Sequence, residues 1–257
     1  MYAHNIAKVT NARYRRITAS DGDDLDSGGI RKLDIYIGYT EDILRLCSRI
    51  AELPSLDPFA LEIEIGDMYV SCNWFPGIEL IISDLILQTW TPSSKPYIYP
   101  SGITQGSLLR LQAVAECFRD AAYIHLHSTL EHIQTGQDQT HPHRSISMSR
   151  TKTDARDTCL ARVASFLPGS DRGNPELTIC PAHCEFSALT FPLFFTGGEC
   201  QTAAQRGVIL TALDLLETGF GIGNVNRVRE VLGVMWTEGR KDWRGVLGGL
   251  GWEVIVA

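Results

Sequence analysis

The segment 107-SLLRLQAVAECFRDAAYIHLHSTLEHI-133 decides the fold class. Its apolar residues Leu108, Leu111, Ala115, Phe118, Ala122, Leu126, Leu130 and Ile133 recur at three- and four-residue steps, the period of one helix face. At 1.5 Å of rise per residue such a helix is roughly 40 Å long. A helix of that length has to lie along the body of a domain, so the rest of the chain is read as elements packed on it.

Upstream, 39-YTEDILRLCSRIAEL-53 places Ile43, Leu46, Cys47, Ile50 and Leu53 on one face, with Thr40 as N-cap and Pro54 as stop. Residues 59–90 are apolar and divide less clearly, because 63-IEIGDMYV-70 alternates like a strand while its flanks suit buried helices; two helices broken near Pro76 and Gly77 are expected. The Pro/Ser/Tyr-rich stretch 91–102 is a loop, and residues 135–152 (TGQDQTHPHRSISMSRTK) lose the apolar signal, which predicts a mobile surface loop. Within it Arg144 precedes Ser147 by three, a spacing that suits some kinases and is common in Ser/Arg loops.

A further helix is predicted from about Asp154 to Leu167, ended by Pro168 and Gly169. The dense apolar run Ala188 to Phe195 carries Pro192, which a helix can absorb and a central strand cannot. Thr202 with Gln205 forms a capping box for a helix bearing Val208, Ile209, Ala212, Leu213 and Leu216, with Gly219 as its left-handed end. Asn224 opens the next helix, which presents Val225, Val228, Leu232 and Met235 or Trp236 and stops near Gly239. A last short helix opens at Asp242, presents Trp243, Val246, Leu247 and Leu250, and ends in Gly248, Gly249 and Gly251. The expected fold is all-α: one domain of eight or nine helices over residues 35–257, with residues 1–34 as a flexible lead-in that contains the acidic, glycine-rich 20-SDGDDLDSGG-29.

Composition narrows the function. The 257 residues are 44% hydrophobic, and Lys+Arg 23 against Asp+Glu 30 gives a net charge of −7, the opposite of a nucleic-acid-binding face. Direct DNA binding by this chain is therefore not expected. Residues 1–20 lack the continuous apolar stretch of a signal peptide, and the runs Ile78–Leu87 and Ala188–Phe195 are too short to cross a bilayer, so no membrane association is expected. The seven cysteines are odd in number and scattered, as in a reducing compartment. Cys180, His183 and Cys184 lie close in sequence but have no second Cys/His pair at zinc-ligand spacing.

Sequence motifs for catalysis are missing. Gly219, Gly221 and Gly223 follow a helix where a dinucleotide fingerprint requires a strand, and neither a P-loop nor a Gly-x-Ser-x-Gly elbow occurs. His125, His127 and His132 share no metal-ligand spacing on their helix. His127 and Glu131, at i and i+4, are expected to form a surface ion pair rather than an acid/base couple. No catalytic, cofactor or metal residue is assigned, and no enzyme activity is expected. Trp236, Trp243 and Trp252 recur on elements whose other apolar residues face inward, so they are read as core; removing the Trp243 side chain should cost roughly 3 to 5 kcal/mol on that reading.

The order of motifs in the last third, 180-CPAHCEFSALTFPLFFTGGEC-200, 202-TAAQRGVILTALDLLETGFGIGNVNRVREVLGVMW-236 and 242-DWRGVLGGLGWEVIVA-257, resembles the C-terminal regulatory region of fungal zinc-cluster transcription factors, the group that includes arginine-metabolism and sterol-uptake regulators. The stretches 39–53 and 115–133 are similar to that family's first helix and long central helix. The resemblance implies structural signature positions at Phe191, Pro192, Leu193, Phe194, Gly197, Arg206, Trp236 and Trp243, none of them catalytic. It further implies a nuclear module that controls RNA polymerase II transcription. Its implied partners are the transcriptional machinery or another regulator, a second copy of the chain as a homodimer, and, as in sterol-uptake members, a small apolar ligand or metabolite. Such regulators read DNA through a six-cysteine cluster holding two zinc ions; this sequence contains no CxxC, so zinc is expected only in a separate N-terminal module. The expectation is either a fragment of a longer regulator or a truncated relative.

Overall fold

A computed structural model describes residues 31–33, 41–52, 97–136, 150–170 and 174–251. Within these residues seven α-helices are present: α1 (Glu41–Glu52), α2 (Gln105–Gly136), α3 (Lys152–Phe166), α4 (Thr190–Gly198), α5 (Ala203–Phe220), α6 (Val225–Glu238) and α7 (Trp243–Leu250). Two 3-10 segments, Pro175–Leu177 and Cys184–Leu189, lead from α3 into α4. The only β structure among the described residues is a two-residue parallel ladder of β1 (Arg31–Lys32) with β2 (Tyr97–Ile98), in register Arg31 to Tyr97. The fold class is all-α, as the periodicity predicts. The two helices expected over residues 59–90, the caps Thr40 and Pro54, and Trp252 lie outside the described residues.

The long helix α2 is the axis of the molecule, in contact with α1, α3, α4 and both 3-10 segments. Its sequence shows one stripe, but the residues from Asp120 to Leu126 are all buried, on every side of the helix. The difference has a physical cause: neighbours pack on several faces at once, and the polar members of the buried stretch, Asp120 and His125, break the apolar pattern that would announce it. On α1 the predicted face is the buried one, with Ile43, Leu46, Cys47 and Ile50 in the core. Three residues of the expected lead-in belong to the fold instead. Leu33 is 1% exposed and its N–H donates to the Ile98 carbonyl at 3.0 Å.

Both ends of the expected loop at 135–152 are helical, since α2 continues through Gly136 and Lys152 already opens α3, and residues 137–149 lie outside the described residues. Thr151 and Asp154 form a reciprocal capping box there, so α3 begins two residues before the position predicted from its apolar pattern. Pro192 is the third residue of α4, where an N–H would have no intrahelical acceptor, and it breaks nothing. The capping box of Thr202 and Gln205 starts α5 as predicted. Its end falls at Gly221 (φ +64) rather than Gly219, which remains helical. The turn to α6 is therefore helix to helix. Gly239 and Gly251, both at φ +66, end α6 and α7 in left-handed caps. Asn224 and Asp242 occupy the N-cap positions of α6 and α7 but make no side-chain cap hydrogen bond.

Candidate functional site

Helix α4 is where the signature residues meet. Eight of its nine residues, Thr190 to Gly197, are buried. Phe191 stacks on Phe118 of α2 with centroids 5.3 Å apart, and Phe194 meets both Phe195 (5.3 Å) and Trp243 (5.7 Å) edge to face. Such geometries add to the area term because ring edges and faces carry opposite partial charge. Pro192 and Leu193 lie in the same buried turn. Gly197 answers a steric demand: a Cβ there would come within 2.8 Å of Leu232 Cδ1, so only glycine lets α6 approach this closely. Its carbonyl accepts the Trp236 Nε1–H at 2.9 Å, and the Arg206 guanidinium lies 5.4 Å from the Trp236 ring centroid. The structure thus brings six of the eight residues into two adjoining groups, an aromatic one of Phe191, Phe194 and Trp243 and a locking one of Gly197, Trp236 and Arg206, with Pro192 and Leu193 buried on α4 beside them.

Trp243 is less deeply placed than its sequence pattern predicts. It is half-buried, its indole N–H has no hydrogen-bond partner, and it bounds a cavity of about 10 Å³ with Phe194, Phe195, Gly198 and Met235. That volume is about the room of one water molecule. A sterol-sized ligand does not fit there.

Polar clusters that the sequence did not announce bind the helices together. Arg110, 6% exposed, donates from Nε to Glu185 Oε2 at 3.0 Å and from Nη1 to Glu176 Oε2 at 3.2 Å. Burial pushes the Glu185 carboxyl up, but the hydrogen bonds from Arg110, its own backbone and Ser107 outweigh that and leave it below its ordinary value. Asp120 accepts from Arg150 at 2.5 Å and also pairs with Arg162, while Glu116 pairs with Arg119 and Arg162. Burial is the largest influence on Asp120 and holds its carboxyl above the usual range despite both guanidiniums. Lys152 bridges Glu131 and Glu199. Apart from Glu116 and Arg119, these partners sit 21 to 75 positions apart, which is why the sequence signal is weak.

The expected His127–Glu131 pair does not form: Glu131 pairs with Lys152, and His127 Nε2 donates to the Arg150 carbonyl at 3.1 Å. The His183 Nδ1–H is given to the Thr178 carbonyl at 2.7 Å, and Cys184 is exposed. Among the described residues no group of three His, Cys, Asp or Glu side chains could hold a metal ion, and no helix is long and apolar enough to cross a membrane. Burial pushes the thiols of Cys47 and Cys200 up to about 12, so they stay protonated and act as small apolar groups. His125 lies against Phe195 at 4.6 Å; burial first and Arg244 second bring it down to about 3, which keeps the ring neutral.

In this all-α body the buried Arg110, Asp120 and Glu185 pair between elements, and Phe191, Pro192, Leu193, Phe194 and Gly197 lie together on α4. The sequence profile described as "Fungal specific transcription factor domain" matches residues 7–257, and the chain belongs to that family. Its role is transcriptional regulation. The match starts well upstream of residue 35, where the sequence motifs placed it. No curated protein and no solved structure matches the chain.

Proposed function

We propose that this chain is the regulatory module of a fungal zinc-cluster transcription factor, acting in the nucleus to control RNA polymerase II transcription through protein partners. The observation that carries the reading is the family match over residues 7–257. Two others support it. A net charge of −7 and a sequence without a CxxC pair suit a module that leaves DNA contact to other polypeptide. Arg110, Glu116 and Asp120 of α2 pair with residues of neighbouring elements and hold them in place, as a scaffold requires. The zinc that such regulators use belongs, on this reading, to the DNA-reading module alone.

The test is to tether residues 1–257 to a heterologous DNA-binding module in a fungal host and read a reporter under its site. Transcription should change severalfold in one direction. A reporter that stays at the level of the DNA-binding module alone, with the fusion expressed and nuclear, would contradict the proposal. The cavity beneath Trp243, about the size of a water, is not where a sterol-like ligand would sit.

A further inference from the structure

Two cysteines that the sequence separates by 42 positions meet at the seam where α2 packs along α3. Cys117 of α2 and Cys159 of α3 are both free thiols and both fully buried. The Cys159 S–H donates to the Cys117 carbonyl at 4.0 Å, and the two thiols are hydrogen-bonded to each other. Cys200 lies within electrostatic reach of Cys159, but its own S–H is turned to the Thr196 carbonyl of α4 at 3.4 Å. The paired sulfurs are therefore those of Cys117 and Cys159.

The seam is built to keep them opposed. Ala121 and Ala155 stand one turn away on the same faces as Cys117 and Cys159, and both are fully buried, so short side chains on each helix let the two backbones approach. Asp120 and Arg162, each three residues on from a thiol, pair across the same seam and fix how the helices slide against each other. Close backbones in a fixed register are the condition for a disulfide, whose geometry tolerates little movement of the chain.

We propose that Cys117 and Cys159 are a redox couple, which hydrogen peroxide closes to a disulfide that clamps α2 to α3 and which a dithiol reductant reopens. In the first step one sulfur attacks the peroxide: an S–O bond forms, the O–O bond breaks, water leaves and that cysteine becomes a sulfenic acid. In the second the other thiol attacks the sulfenic sulfur: the S–S bond forms, the S–O bond breaks and a second water leaves. Two thiols give up two electrons and two protons, and one peroxide takes them. Reopening transfers the same two electrons and two protons from the reductant, which leaves as its own disulfide. The hydrogen bond with Cys159 first and burial second hold the Cys117 thiol well above its ordinary pKa, so the first step is slow beside that of an exposed thiol. The second is fast, because the partner is already in contact. A sulfenic acid formed here is captured before it climbs to sulfinic acid. The couple does not depend on the transcriptional reading and is tested without it.

The full chain, reduced and freed of reductant, is treated with enough hydrogen peroxide to consume the exposed Cys184, blocked with N-ethylmaleimide and digested for mass spectrometry. Peptides carrying Cys117 and Cys159 should be found joined to each other, with sulfinic acid at neither, and dithiothreitol should restore both thiols. The oxidised chain should melt roughly 5 to 10 °C above the reduced one, because the bond closes a loop of about 40 residues in the unfolded chain. Cys159→Ala should abolish both the link and the rise in melting temperature, and Cys117→Ala reads the same if the first variant loses its cooperative melt. Cys200→Ala should keep both. Cys117 and Cys159 still open to N-ethylmaleimide after unfolding of the treated chain, a link from either to Cys200, or sulfinic acid in place of the link would each overturn the proposal. A Cys117–Cys159 disulfide that leaves the melting temperature unchanged would overturn the clamp.

Discussion

Helices α4 and α7 are both short, both carry aromatic residues and both start without a side-chain cap, yet they are opposite in construction. In α4 eight of nine residues are buried; in α7 only Val246 and Leu247 are. Their glycines show why. Gly197 and Gly198 let Leu232 and Met235 close in, since added Cβ atoms would lie 2.8 and 3.1 Å from those side chains. Gly248 and Gly249 face open space, with nothing within 4 Å of an added Cβ. The same residue makes a tight interior in one helix and only weakens the other. Close packing of this kind marks the centre of the fold, and α7 at its edge lacks it.

The contrast can be broken most severely at Phe194, which is 1% exposed. Phe194→Ala should lose roughly 3 to 5 kcal/mol in chemical denaturation, the range for emptying a core aromatic site. Trp243→Ala should lose less, about 2 kcal/mol, because the indole is half-buried and its N–H leaves no partner behind. A loss at Trp243 equal to that at Phe194 would erase the distinction between the two helices.

Acid sharpens it next. The folded-state pKa of His125, about 3, lies below its ordinary 6.5, so the unfolded or opened chain takes up the proton first. The contribution of His125 to stability is intact above pH 6.5 and is lost below it at about 1.4 kcal/mol per pH unit until about pH 3. Arg244 is the charged group that faces it from α7. The difference in stability between wild type and His125→Phe should therefore change with pH over that window, and a pH-independent difference would show that the ring is hydrated. The smallest effects are the paired glycine substitutions. Gly197→Ala should destabilise by roughly 1 kcal/mol or more through overpacking, whereas Gly248→Ala should stabilise by roughly 0.5 to 1 kcal/mol, both read as shifts in melting temperature.

Much of this was legible in the sequence because it is local. Thr202 and Gln205, Gly239 and Gly251 mark helix ends through bonds or dihedrals within a few residues, and the apolar spacing of α1 and α2 marks their buried faces. What escaped is long-range. The burial of Asp120 depends on Arg150 and Arg162 from other parts of the chain, and a carboxylate on a helix reads as solvated until its partners are known. Glu131 likewise reads as the partner of His127 until Lys152, the first residue of α3, takes it. Trp243 reads as core by its type and spacing, but the depth of its seat depends on how closely α4 and α6 converge beneath it, which no local pattern encodes.

Native-state hydrogen exchange on the full chain tests the account most directly. The amides of α4 from Phe194 to Gly198 should exchange only with global unfolding, and those of α7 from Val246 to Leu250 at least a hundredfold faster through local opening. Equal protection of the two helices would contradict the claim that a tightly built α4 carries a loosely seated α7.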